Sequence, residues 1–222
     1  MKSEKKSKST LRHKIYSYLR EQIIRNEIKP KERIYEKDIM SIFNSSITPV
    51  REAILKLTSE GFIEINEYRH PIVKGISFEE YMKILELLNI LSHYAYDILI
   101  NEITDKQIQE LESIVPDMDP TRYSSDYYDE FLDKYHNFFI KLFSCLKNEF
   151  LYKLLKSLLE DLDRGNKQNI FLIWSTMPAP KRPIKYCKKL LEAFRNKDTA
   201  LLKKLKRFDK DFHKKLKIRF NM

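Results

Sequence analysis

A chain of 222 residues is long enough for two domains, and at 42% hydrophobic it can pack a core in each. Three glycines argue against a glycine-rich nucleotide loop, two cysteines are too few for a disulfide framework, and no apolar run is long enough to span a membrane, so the chain reads as cytoplasmic. The net charge of +10 is uneven: sixteen Lys and Arg face ten Asp and Glu in residues 1–77, ten face eighteen in 78–180, and sixteen face four in 181–222.

In chain order, Met1 to Lys8 is Lys-rich without the apolar centre of a signal peptide, and residues 1–10 read as a disordered basic arm. Leu11, Ile15, Tyr18, Leu19 and Ile23 then form a helical stripe ending near Asn26. Pro30 breaks the chain, and Glu36 to Phe43 gives a second short helix. After Asn44-Ser45-Ser46-Ile47, Thr48 is placed to cap a third helix and Pro49 suits its first turn. Val50, Ala53, Ile54 and Leu57 share one face of that helix, and Gly61 stops it. Thr48, Arg51, Glu52, Lys56 and Ser59 are left on the other face for solvent or a partner, the division a DNA-recognition helix needs. The periodicity then switches towards two over Phe62–Ile65 and Ile72–Ile76, with a polar tip at Asn66–Pro71. Three helices and a hairpin is the order of a winged helix-turn-helix over residues 11–76. A helical bundle capped by a hairpin has the same pattern.

From Phe78 onward the pattern is helical. Helices are expected from Phe78 to about Ile100, Asp105 to Val115, Tyr127 to Leu146, Glu149 to Arg164, Ile184 to Asn196 and Thr199 to Phe220. Pro116 and Pro120 frame a loop, and Gly165 to Pro180 reads as a connector with a short helix at Ile170–Trp174. The fold class is therefore mainly α: an N-terminal winged helix-turn-helix and, over 78–222, an all-α bundle of six to seven helices. Tyr94, Tyr135, Phe138, Phe139, Trp174 and Tyr186 together would line a pocket for an apolar or aromatic molecule, although aromatics at this spacing also build ordinary cores. The Lys-rich C-terminal helix is a solvated outer face, a DNA-backbone contact or a partner for acidic residues elsewhere.

The run Thr48-Pro49-Val50-Arg51-Glu52-Ala53-Ile54, with Ile15-Tyr16, Leu19-Arg20, Ile34, Glu36, Ile39, Leu57 and Glu60-Gly61-Phe62-Ile63 around it, resembles the DNA-binding module of the GntR superfamily of bacterial transcription regulators. Two departures stand out: Ile47 replaces an arginine common before Thr-Pro, and His70-Pro71 occupies a wing tip where glycine is common. The second half is similar to the all-α effector domain of the FadR-like branch, the FCD domain, through Tyr135-His136, Leu142, Asn148 and the stretch from Cys187 to Phe194.

The resemblance implies a homodimeric regulator, a repressor, that binds a double-stranded DNA operator and couples it to a small-molecule effector, without enzymatic or membrane activity. A member binding DNA constitutively, with a degenerate pocket, is the alternative. No HExxH, P-loop or GxSxG motif supports a metal-dependent enzyme.

Arg51 is the implied reader of guanine, with Lys37, Thr48, Ser46, Lys56, Arg69 and His70 as further DNA contacts. A salt bridge of Arg51 to Glu52 or Glu36 is the competing role. The family's metal ligands, an aspartate and three histidines, carry over poorly. His136 matches, the aspartate position is Leu132 with Asp133 adjacent, the second histidine falls on Cys187, and the third falls near Asp209 with His213 a turn beyond. A degenerate site for a divalent ion, zinc or nickel, or a plain core histidine at 136, are both open. Leu85 stands where the family often has an arginine for an effector carboxylate.

Overall fold

The computed structural model describes the backbone of residues 2–115, 127–168 and 181–219, and the side chains of 11–115, 130–168, 183–212 and 214–218. It divides into two compact units, Met1–Ser77 and Phe78–Met222. The Pro116–Pro120 loop, the Ile170–Trp174 helix and the side chain of His213 lie outside the described residues.

In the first unit, α1 (Lys2–Ile24) buries Ile15, Leu19 and Ile23 completely. It is helical from Lys2, where the sequence suggested a disordered arm. Lys and Glu are good helix formers, and extending a helix already anchored by packing needs no new nucleus. Asn26 ends it in the left-handed conformation, with Glu27 N–H bonded to Gln22 C=O and Asn26 N–H to Ile23 C=O. The next helix, α2 (Glu36–Phe43), is capped at its C-terminus by Asn44, again left-handed.

Helix α3 (Ile47–Ser59) packs on α1 and α2 through Pro49, Val50, Ala53, Ile54 and Leu57. Its end is a Schellman turn: Gly61 at φ +76°, Gly61 N–H to Thr58 C=O, and Phe62 N–H to Leu57 C=O at 2.9 Å. Strands β1 (Ile63–Ile65) and β2 (Pro71–Val73) pair antiparallel with Ile63 opposite Val73. The segment after Pro30 lies along the other edge of β2. Ile34 N–H bonds Pro71 C=O, Val73 N–H bonds Glu32 C=O, Lys31 N–H bonds Val73 C=O, and Arg33 bridges Ile72. The wing is thus tied into the core by a single β-bridge and its flanking hydrogen bonds, in a segment that carries no alternating pattern of its own.

The second unit contains α4 (Phe78–Glu102), α5 (Asp105–Ile114), α6 (Tyr127–Phe143), α7 (Glu149–Gln168), α8 (Lys181–Arg195) and α9 (Thr199–Arg219). These six described helices match the expected all-α bundle. Thr104 and Gln107 form a reciprocal capping box at the start of α5. The core is built on Phe138, Leu142, Phe143, Leu155, Leu190 and Phe194, with Tyr96 and Leu99 of the long α4 running through it. Gly165, expected to open a connector, sits inside α7. The helix continues past it because Lys167, two residues on, is pinned by Asp133 and Asp163.

Candidate functional site

The exposed face of α3 follows from its register. With Val50, Ala53 and Leu57 fully buried, Thr48, Arg51, Glu52, Leu55, Lys56 and Ser59 must project outward, and all are exposed. Ser46, not Thr48, holds the N-cap position, and its side chain makes no capping hydrogen bond. Thr48 is the second residue of the helix, so Ser46 and Thr48 both present hydroxyls near its positive end, where a phosphate is favoured.

Arg51 reaches from α3 to the first residue of α2. Its Nε donates to Glu36 Oε1 at 3.0 Å and its Nη2 to Oε2 at 3.4 Å, while the side chain stays 62% exposed. The carboxylate raises the guanidinium's pKa, first through this hydrogen bond and then through charge attraction. A guanidinium has five N–H donors, so the pairing leaves the outer Nη edge open. Lys37 next to it is exposed.

Other candidates are placed differently. Glu52 bridges to Arg12 of α1 at 3.7 Å. Lys56 lies over the Tyr16 ring at 3.8 Å and beside Glu60 at 3.8 Å, and Tyr16 donates to Glu60 at 2.7 Å. Lys56 therefore packs against α1, off the stripe of Thr48, Arg51 and Leu55. Leu55, apolar yet 65% exposed, belongs to this stripe, and its position four residues beyond Arg51 is the sequence signal for it.

At the wing tip Arg69 N–H donates to Asn66 C=O, Asn66 N–H to His70 C=O, and His70 N–H to the Asn66 side-chain oxygen at 2.8 Å. This turn requires a left-handed residue, and Arg69 fills it at φ +60°. The Arg69 side chain is exposed and that of His70 half-buried.

In the helical unit the expected metal ligands do not converge: among the described residues no three His, Cys, Asp or Glu side chains are grouped to hold an ion. Lys167 occupies the ground beside Asp133 and His136. Its Nζ bonds Asp133 Oδ1 at 2.7 Å and Asp163 Oδ2 at 3.0 Å. Burial opposes the Lys167 ammonium, yet the two carboxylates outweigh it and raise its pKa. His136 is half-buried, and its pKa is pushed down, burial outweighing the carboxylates near it, Asp163 foremost, which favours the neutral imidazole. Cys187 is completely buried, and burial pushes its thiol up, away from the thiolate a metal needs.

Of the expected ligand positions Asp209 itself lines a cavity, and Leu132, Tyr135 and Tyr186, each one residue before Asp133, His136 and Cys187, line it too. This cavity of about 170 Å³ is lined by α4, α6, α7, α8 and α9, with Tyr81, Tyr96, Tyr135, Phe139 and Tyr186 among its walls and Leu85 at its lining. Of the expected lining residues, Tyr135, Phe139 and Tyr186 are present. Phe138 points into the solid core, Tyr94 is 59% exposed, and Trp174 lies outside the described residues. Tyr81 donates to Asn166 at 2.8 Å, and Tyr186 to Asp209 Oδ2 at 2.6 Å. Burial raises the phenols of Tyr81, Tyr96, Tyr135 and Tyr186, which keeps them protonated.

Comparison with known proteins agrees with this geometry. Residues 11–69 match the family "Bacterial regulatory proteins, gntR family". The chain is similar to the Nta operon transcriptional regulator of Aminobacter aminovorans, 27% identical over 60% of this chain and 62% of that protein. It is also similar to the uncharacterized HTH-type transcriptional regulator YdhC of Bacillus subtilis, at 24% identity over 57% and 61%. These matches span about three fifths of either relative's length. In fold it resembles E. coli McbR/YncC, with a TM-score of 0.66 at 17% identity, covering 95% of this chain and 97% of that one. A GntR regulator structure from Rhodococcus sp. RHA1 is equally near, with a TM-score of 0.66 at 15% identity and coverage of 94% and 96%. Residues 11–69 are therefore similar to the DNA-binding domain of the gntR family, and with β2 they complete a winged helix-turn-helix.

Proposed function

We propose that this protein is a DNA-binding transcription regulator, a homodimeric repressor whose FCD-type helical unit couples a small-molecule effector to operator binding. The observation that carries the reading is the outer stripe of α3: Thr48, Arg51, Leu55 and Ser59 at helical spacing, opposite a completely buried face. A helix presented this way enters the major groove, where the open edge of Arg51 matches guanine O6 and N7. Leu55, one turn on, suits a thymine methyl. Lys37, Ser46 and Thr48 supply phosphate contacts, and Arg69 and His70 carry the wing to the flanking groove or backbone. Lys56, held over Tyr16, has the smallest part.

Two such modules in a dimer read half-sites about one helical turn, roughly 34 Å, or a multiple of it apart. Repression is supported by the likeness of 66 residues, at 39% identity, to the E. coli protein named HTH-type transcriptional repressor RspR. Effector coupling is supported by the aromatic-lined cavity in the helical unit. A metal has no part in this reading, because the chain's own Lys167 ammonium stands beside Asp133 and Asp163.

The experiment is selection of genomic fragments by the full chain, followed by titration of the selected site and a scrambled site at fixed salt. The wild type should prefer the selected site, and Arg51→Ala should lose the preference while keeping salt-sensitive nonspecific binding. Unchanged preference in the variant would sink the assignment of Arg51. A wild type without sequence preference would sink the function itself.

A further inference from the structure

The cavity of the helical unit carries a statement about what fills it, which rests on the effector-sensing reading above. Its volume of about 170 Å³ is close to the roughly 150 Å³ of an apolar cavity that takes up a benzene ring. Its walls are aromatic: Phe131 stacks on Tyr135 at 5.8 Å between centroids, Tyr135 meets Phe139 edge-on at 5.0 Å, and Tyr96 stacks on Phe143 at 6.1 Å. Among the described lining residues one carries a carboxylate, Asp209 on α9.

Asp209 is used on one side only. Tyr186 donates to its Oδ2 at 2.6 Å, and His93 Nε2 lies 3.1 Å from the same oxygen. Its Oδ1 has no hydrogen-bond partner among the described residues. A carboxylate on the lining of a cavity of neutral phenols and π faces accepts a donor and attracts a positive charge. A carboxylate ligand would meet Asp209 as a like charge, and the described lining offers no Lys or Arg to offset it. Leu85, lining the same cavity, supplies only apolar surface.

We propose that this cavity binds a small monocyclic aromatic amine, its ring between Tyr135, Tyr96 and Phe139 and its ammonium on the carboxylate of Asp209.

The test uses the full chain and three probes of one size: benzylamine, benzyl alcohol and benzoate. Binding is followed by calorimetry and by ligand-detected NMR. Benzylamine should bind saturably and at least about tenfold more tightly than benzoate, the worth of one charged hydrogen bond. Asp209→Asn, which keeps shape and removes charge, should erase that difference while benzyl alcohol still binds. Leu85→Trp, at the half-buried lining of the cavity, should abolish benzylamine binding and serves if Asp209→Asn does not fold. Benzoate binding as tightly as benzylamine, no binding by any probe, or benzylamine binding unaffected by both variants would overturn the proposal.

A parallel titration of the selected DNA separates this inference from the reading beneath it. Selective benzylamine binding at Asp209 with unchanged DNA affinity supports the ligand class and counts against effector coupling. A DNA response to cell extract with no binding by the amine probe keeps the coupling and removes the ligand class.

Discussion

Arg51 of α3 is gripped by Glu36 of α2 through two of its N–H groups, at 3.0 and 3.4 Å, while most of its side chain faces solvent. The bond is a brace as much as a charge pair. It uses the inner edge of the guanidinium and turns the outer edge away from the protein, which restricts a long side chain to one orientation before any partner arrives. An arginine held in this way loses less rotamer freedom when it meets a base.

Arg51→Lys keeps the charge and discards the fork, so discrimination against a guanine-substituted site should fall roughly five- to a hundredfold. Glu36→Gln should leave the fold intact and lower the same discrimination by a smaller factor, through loss of the brace. Fluorescence anisotropy titrations at one salt concentration measure both. Equal discrimination by wild type and Glu36→Gln would mean that the pairing is only a surface bridge.

Leu55 makes its case by exposure. Being outside the core, Leu55→Ala should change stability by less than about 0.5 kcal/mol. If it touches a thymine methyl, the variant should lose affinity for the selected site and relax preference at a single A·T pair. Binding profiles on a panel of singly substituted sites give the answer, with an unchanged profile counting against the contact.

The wing tip sets stability against binding. Arg69 sits at φ +60°, a conformation that costs a residue with a side chain about 1 kcal/mol relative to glycine. Arg69→Gly should therefore raise the urea midpoint of the first unit. It should also weaken DNA binding and flatten the salt dependence by about one charge. Circular dichroism and salt-dependent titrations read the two effects separately.

Gly61→Ala isolates backbone strain from crowding. A Cβ at this position would meet nothing within 4 Å, yet the residue lies at φ +76°. The expected loss is about 1 kcal/mol, carried wholly by the left-handed turn that ends α3. A loss several times larger would point to displacement of Phe62, whose N–H closes the same turn.

His136 sets an acid limit on the helical unit. Burial, the dominant cause, lowers its pKa below the ordinary histidine value of 6.5 in the folded chain. As pH falls through that value the unfolded chain binds the proton first, so stability decreases until the folded imidazole is protonated too. His136→Gln removes this titration and should show a flatter decline in unfolding free energy as pH falls below about 7. Denaturant unfolding at a series of pH values checks it.

Much of the fold was legible because local rules agree. The α2 boundaries follow from Glu36 and the asparagine after Phe43, and the buried face of α3 from four apolar residues at helical spacing. The end of α3 follows from one glycine in a left-handed turn, and the hairpin from a change of period. The bridge that Lys31–Ile34 makes to β2 was not legible, since it depends on residues some forty positions away. Of the two partners open to Arg51, Glu36 was selected, while Glu52 turned to Arg12.

The same contrast divides the two halves of the chain. Sequence alone determined a winged helix-turn-helix with Arg51 outward and an all-α second unit, because periodicity and turn chemistry act over a few residues. Tertiary packing decided how each helix of that unit is rotated, and one residue of rotation is about 100°. That step brought Tyr135 and Tyr186 to the cavity wall. It left His136 beside Lys167 and Cys187 in the core, so an aromatic cavity with one half-used carboxylate stands near the place where a metal site was expected.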